Sequence, residues 1–117
     1  MILELVTFKA SSGWDRARVL DDAKQTIAKW RSNQDLLRKH FLLGIGEDEG
    51  TSAGLYIWFS VEAAMKAHDE EWRESVKERT GGYPTSRYFD LFLLIDNEQR
   101  RVVEWSADGA SRELGAA

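Results

Sequence analysis

The sequence predicts an α+β domain with the element order βαββαβ followed by a short extra strand. Three observations predict it. Residues 53–59 (Ala-Gly-Leu-Tyr-Ile-Trp-Phe) read as a strand, and from Val61 onward the apolar positions recur at helical spacing. A second helical stripe, Leu20, Ala23, Ile27 and Trp30, lies between two further strand-like runs. The strands near the two ends of the chain carry apolar residues on both faces, which implies cover on both sides.

Residues 2–9 form the first strand, with Ile2, Val6 and Phe8 on one face and Leu3 and Leu5 on the other. Residues 10–15 are a loop into the first helix, for which Asp15 is the N-cap and Ser12 an alternative. That helix stops near Ser32-Asn33. Residues 36–45 read as strand two, residues 46–52 as a polar loop and residues 53–59 as strand three, a hairpin pattern. Ser60 caps the second helix, whose stripe is Val61, Ala64, Met65, His68, Trp72 and Val76. Gly81-Gly82 ends it and Pro84 prevents a restart. Residues 86–95 form strand four, residues 96–98 a turn and residues 101–105 a short fifth strand. Residues 1–105 are therefore read as one domain and residues 106–117 as a small, polar, mobile tail. This order is the ferredoxin-like one, an antiparallel sheet with two helices on one face. Helices cover one face only, so the apolar second face predicts packing against another sheet, in a homodimer.

Composition excludes several functions. The chain has 117 residues, a net charge of -4 and interleaved acidic and basic residues, with no basic patch for nucleic acid or an anionic membrane. There is no cysteine, so thiolate nucleophiles and sulfur-bound metals are excluded. The N-terminus has no signal-peptide pattern and no apolar run is long enough to cross a bilayer, so a cytoplasmic protein is expected. His40 and His68 are far apart, and no His-x-His or Glu-x-x-His pair occurs, so no metal is expected. Gly44-Ile45-Gly46 lacks a third glycine and a following helix. It predicts a strand bulge rather than a dinucleotide loop, and no bound cofactor is expected.

The candidate site centres on His68, which sits on the apolar stripe of the second helix. A buried neutral imidazole there can accept a proton; the same pattern also fits a core histidine satisfied by a carbonyl or a tyrosine hydroxyl. Tyr56, Trp58 and Trp72 would supply flat walls for a planar ligand, or ordinary core packing. Tyr56 and Trp58 share one strand face and Leu55, Ile57 and Phe59 the other; the sequence leaves open which face meets the helices. His40 belongs to the pocket or to the dimer interface, or is a structural or partly exposed strand histidine.

The runs Gly54-Leu55-Tyr56-Ile57-Trp58, Ser60-Val61-Glu62-Ala63-Ala64, His68-Asp69-Glu70-Glu71-Trp72-Arg73, Arg87-Tyr88-Phe89-Asp90 and Ile95-Asp96-Asn97 carry a family likeness. With them the chain resembles the dimeric α/β-barrel superfamily, and within it the small monooxygenase-like proteins of the YdhR type, close to the antibiotic-biosynthesis monooxygenases. The resemblance implies two ferredoxin-like subunits packed sheet to sheet, a pocket between each sheet and its helices, and oxygenation of a small aromatic or apolar molecule without flavin, haem or metal. On that reading His68 is the base, and Tyr56 or Tyr88 orients a substrate oxygen. The haem-degrading branch places a histidine late in the second helix, where this chain has Ser75-Val76-Lys77-Glu78. Two alternatives use the same fold: a non-catalytic binding or interaction protein, and an isomerase of small lactones.

Overall fold

The computed structural model describes residues 1–10 and 15–115. Four strands, β1 (Ile2–Lys9), β2 (Leu36–Leu43), β3 (Thr51–Trp58) and β4 (Thr85–Asp90), form an antiparallel sheet in the order β2-β3-β1-β4. The helices are α1 (Arg16–Lys24), α2 (Ile27–Arg31), α3 (Val61–Ala67) and α4 (Glu70–Thr80). Three short strands, β5 (Leu93–Asp96), β6 (Arg101–Trp105) and β7 (Ser111–Leu114), make a second antiparallel sheet in that order. The main sheet is the ferredoxin-like one that the element order predicts.

Each predicted helix is in fact two. The first breaks at Gln25-Thr26, where backbone bonds tighten to the residue three back and the Thr26 hydroxyl donates to the Ala23 carbonyl at 2.7 Å. The second breaks at His68-Asp69, because the Asp69 carboxylate accepts from the Trp72 amide at 2.9 Å and caps a new helix. Asp15 and Ser60 cap α1 and α3 as expected, and Gly81, at φ 85°, takes the left-handed turn that ends α4. Ser12, the alternative cap, lies outside the described residues.

The predicted fourth strand also divides. β4 pairs with β1 as far as Asp90, the Leu91 amide bonds to the Met1 carbonyl, and β5 then turns away to pair with β6. Residues 106–117, expected as a mobile tail, contain β7, which pairs with β6 from Ser111 to Leu114. No bulge occurs at Gly44-Gly46. β2 ends at Leu43, Gly46 at φ 63° starts a single 3₁₀ turn (Gly46–Asp48), and the register shift lies instead between Leu36 and Arg38.

On β3 the even-numbered residues from Ser52 to Trp58 are buried, and on β1 Glu4 and Val6 are. That assigns Tyr56 and Trp58 to the helix-covered face, where Val6, Trp30, Tyr56, Trp58 and Ala64 form the core cluster. Leu3, Leu5, Leu55 and Ile57 occupy the opposite face and are half-buried, while Leu42 and Phe89 beside them are exposed. No helix covers that face among the described residues. The molecule measures 48 Å in its longest dimension. The Cα radius of gyration is 15.8 Å, against about 13 Å for a compact chain of similar length.

Candidate functional site

Register places four polar side chains in one row across the helix-covered face. Lys39 of β2 lies opposite Tyr56 of β3, Tyr56 opposite Glu4 of β1, and Glu4 opposite Tyr88 of β4. Directly opposed side chains in antiparallel strands touch, so the row is continuous.

Its centre is a buried carboxylate. Glu4 is fully buried; His68 Nδ1–H donates to its two oxygens at 2.8 and 3.0 Å, and Trp58 Nε1–H donates to Oε1 at 2.9 Å. The carboxylate partner assigns the proton to Nδ1, and Nε2 is buried without a hydrogen-bond partner among the described residues. His68 reaches this position as the residue that closes α3, at φ -109° and ψ 57°, rather than from the middle of a helix. Its ring lies 4.0 Å from that of Trp72 and 4.6 Å from that of Tyr56, centroid to centroid, and Tyr56 stacks on Trp58 at 5.6 Å.

The Lys39 end of the row opens into a cavity of about 500 Å³ between the sheet and α1, α2 and α4. Phe8, Trp30, Phe41, Tyr56 and Trp72 are its aromatic walls. Gly54 keeps this wall flat: a Cβ there would lie 2.9 Å from Cε1 of the Tyr56 ring. Lys39 Nζ donates to the Tyr56 hydroxyl at 2.7 Å and lies 4.0 to 4.4 Å from the ring centroids of Trp30, Phe41 and Tyr56. Burial, then the charges of Lys29 and Arg79, lower its pKa from 10.5 to about 7, with Glu4 pulling weakly the other way. Burial and then Glu4 push the Tyr56 phenol well above the usual range, so it stays protonated. The Tyr88 phenol is raised by the same two causes.

The residues expected from sequence divide accordingly. Tyr56 and Trp72 line the cavity. His68 is buried as expected but does not line it; it meets the cavity through Tyr56, Trp72 and Trp30. Trp58 is wholly buried behind Tyr56, and Tyr88 sits half-open on the far side of Glu4, so neither faces the space. His40 is exposed on the opposite face of the sheet, because strand alternation turns it away from its neighbour Lys39. Sequence reasoning missed Lys39 and Glu4. The signal was available: each is a charged residue on a strand face otherwise made of apolar side chains, Glu4 between Ile2 and Val6. Among the described residues no three of His, Cys, Asp and Glu are grouped to hold a metal ion, and no helix is long and apolar enough to cross a membrane.

No family model and no curated protein sequence matches the chain. Solved structures do. A Bordetella bronchiseptica protein named provisionally as an antibiotic biosynthesis monooxygenase superposes with a TM-score of 0.62 at 18% identity, over 79% of this chain and 97% of that one. A monooxygenase from the gene ActVA-Orf6 of Streptomyces coelicolor, in complex with the ligand nanaomycin D, gives 0.59 at 16% identity, over 77% and 86%. A further antibiotic biosynthesis monooxygenase gives 0.57 at 14%, over 78% and 98%. The chain thus has the ferredoxin-like fold of the antibiotic-biosynthesis monooxygenases, as the resemblance implied.

Proposed function

We propose that this chain is a homodimeric protein that binds a small planar aromatic molecule in the Lys39 cavity and oxygenates it without a bound cofactor. The observation that carries the reading is the cavity itself: five aromatic walls, three of them against the amine of Lys39, which is half-neutral near pH 7. Fold neighbours named as monooxygenases support the reaction class, and one of them was solved with an organic ligand. The apolar outer face of the sheet and the extended second sheet support the dimer.

On this reading proton transfer falls to Lys39 rather than to His68, because Lys39 lines the cavity and His68 does not. An unprotonated Nζ, oriented by the Tyr56 hydroxyl, takes a proton from an acidic C–H of the substrate. The resulting carbanion passes an electron to dioxygen, the two radicals combine to a peroxide, and loss of water leaves a carbonyl. In sum, CH₂ and O₂ give C=O and H₂O. The Glu4–His68–Trp58 cluster holds the Tyr56 ring from behind and does not meet the substrate.

Oxygen-electrode measurements with an anthrone test this. Consumption should be stoichiometric with quinone formed and should fall by about a hundredfold or more in Lys39→Met. Binding of the same compound, read by tryptophan quenching, without oxygen uptake would leave a binding protein. Anaerobic turnover of a small lactone would identify an isomerase instead.

A further inference from the structure

We infer that the ligand of this cavity is an anion, a flat aromatic or enolic molecule whose single acidic group sits between Lys39, Lys29 and Arg79. The inference rests on the small-molecule reading above and names the class of molecule.

Three cationic side chains from three elements line one cavity: Lys39 from β2, Lys29 from α2 and Arg79 from α4. The cavity has one acidic wall residue, Asp22 of α1. Glu4, the buried acid closest in the row to Lys39, has its oxygens engaged by His68 and Trp58. Among the described residues no carboxylate lies within ion-pair distance of Lys39 or Lys29. Both amines instead lie against Trp30, with Nζ 4.0 and 4.8 Å from its ring centroid.

Gathering positive charge in a partly dry space is unfavourable for each group. The fold offsets this with aromatic faces, which attract a cation but do not neutralise it. A bound carboxylate or enolate would neutralise it. The aromatic walls would take the flat body of the same molecule, and the Tyr56 hydroxyl, on the same wall as Lys39, would donate to its oxygen. A neutral ligand of the same shape would use the walls and leave the charges of Lys39 and Lys29 without a counter-charge.

Lys39 becomes charged on taking the substrate's proton, and this protonated form is the one that holds the resulting enolate, or a carboxylate of the same shape; the groups facing it from neighbouring elements are Lys29, Arg79, Asp22, Glu4 and Tyr56. Affinity for an anion should therefore decline above neutral pH, and binding at alkaline pH should take up a proton.

The test compares 2-naphthoate with its uncharged isostere 2-naphthamide on the full chain, by calorimetry at pH 6.5 and 8.5. Naphthoate should bind at least about tenfold more tightly than naphthamide at the lower pH, and several-fold less tightly at the higher pH than at the lower. Lys39→Met should reduce the preference and abolish the pH dependence. Lys39→Arg should keep the preference and lose the pH dependence, and Lys29→Gln, an exposed position, should weaken naphthoate alone by several-fold. Equal binding of the two compounds, or an unchanged pH profile in Lys39→Met, overturns the anion inference and leaves the small-molecule reading standing. Binding of neither compound to a folded protein overturns both.

Discussion

Lys39→Met keeps the apolar stem and removes the ammonium, so it isolates the charge from the packing. In the unfolded chain the amine has its ordinary pKa of 10.5; in the fold it lies at about 7. The sign follows from proton counts. Below about 7 both states are charged and the fold bears the full penalty; between about 7 and 10.5 the unfolded chain binds more protons, so stability rises with pH. The gap between the two values corresponds, at about 1.36 kcal/mol per pH unit, to at most about 5 kcal/mol. Of this, about 2 kcal/mol is relieved between pH 7 and pH 9. Residual solvent contact of a partly buried side chain trims that to about 1–2 kcal/mol, or about 4–8 °C in Tm. Thermal unfolding followed by circular dichroism from pH 6.5 to 9 reads the difference. The variant loses the Tyr56 hydrogen bond at every pH, a constant cost of about 1 kcal/mol. Relative to wild type it should therefore be most favoured at the acid end, and the advantage should shrink as pH rises. Parallel curves for the two proteins would refute the reasoning, because they would mean that Lys39 titrates in the fold as it does in water.

Glu4→Leu leaves the N–H groups of His68 and Trp58 buried without their acceptor and should cost about 3–5 kcal/mol in urea unfolding. His68→Ala should cost about 2–4 kcal/mol through the space it opens and the donor it removes, yet change naphthoate affinity far less than Lys39→Met does; the reverse order would return His68 to the cavity. Gly54→Ala drives a Cβ against the Tyr56 ring and should lower stability by about 1–3 kcal/mol while weakening ligand binding, measurable on the same samples. Light scattering at micromolar concentration should give about twice the 13.4 kDa chain mass; a monomer would leave Leu3, Leu5, Leu55 and Ile57 uncovered and contradict the sheet-to-sheet dimer.

The fold was legible in the sequence because it is written in local terms. Period-two runs marked the strands, Asp15 and Ser60 marked helix starts, and Gly81 marked a helix end, each through contacts within a few residues. The fifth strand fell where the alternation placed it, at Arg101–Trp105. The helix breaks were harder to read, since Thr26 and Asp69 interrupt stripes that continue in phase across them. β7 was missed because its short polar run is held by pairing with β6 rather than by an apolar face of its own.

The site was legible only in outline. The sequence by itself marked His68 and Trp72 as inward-facing and left the face of Tyr56 open; in the structure all three meet at one place. Only the tertiary structure decided which of them reaches the cavity. That depends on strand register, which sets Lys39, Tyr56, Glu4 and Tyr88 side by side although they come from four separate strands. A one-residue slip of β2 would have turned His40 inward and Lys39 to the outer face. The pKa of Lys39 is likewise set first by burial, and then by Lys29 of the preceding α2 and by Arg79 of α4, a helix far along the chain. Burial and charge depend on what lies nearby in space, and no local pattern around residue 39 records it.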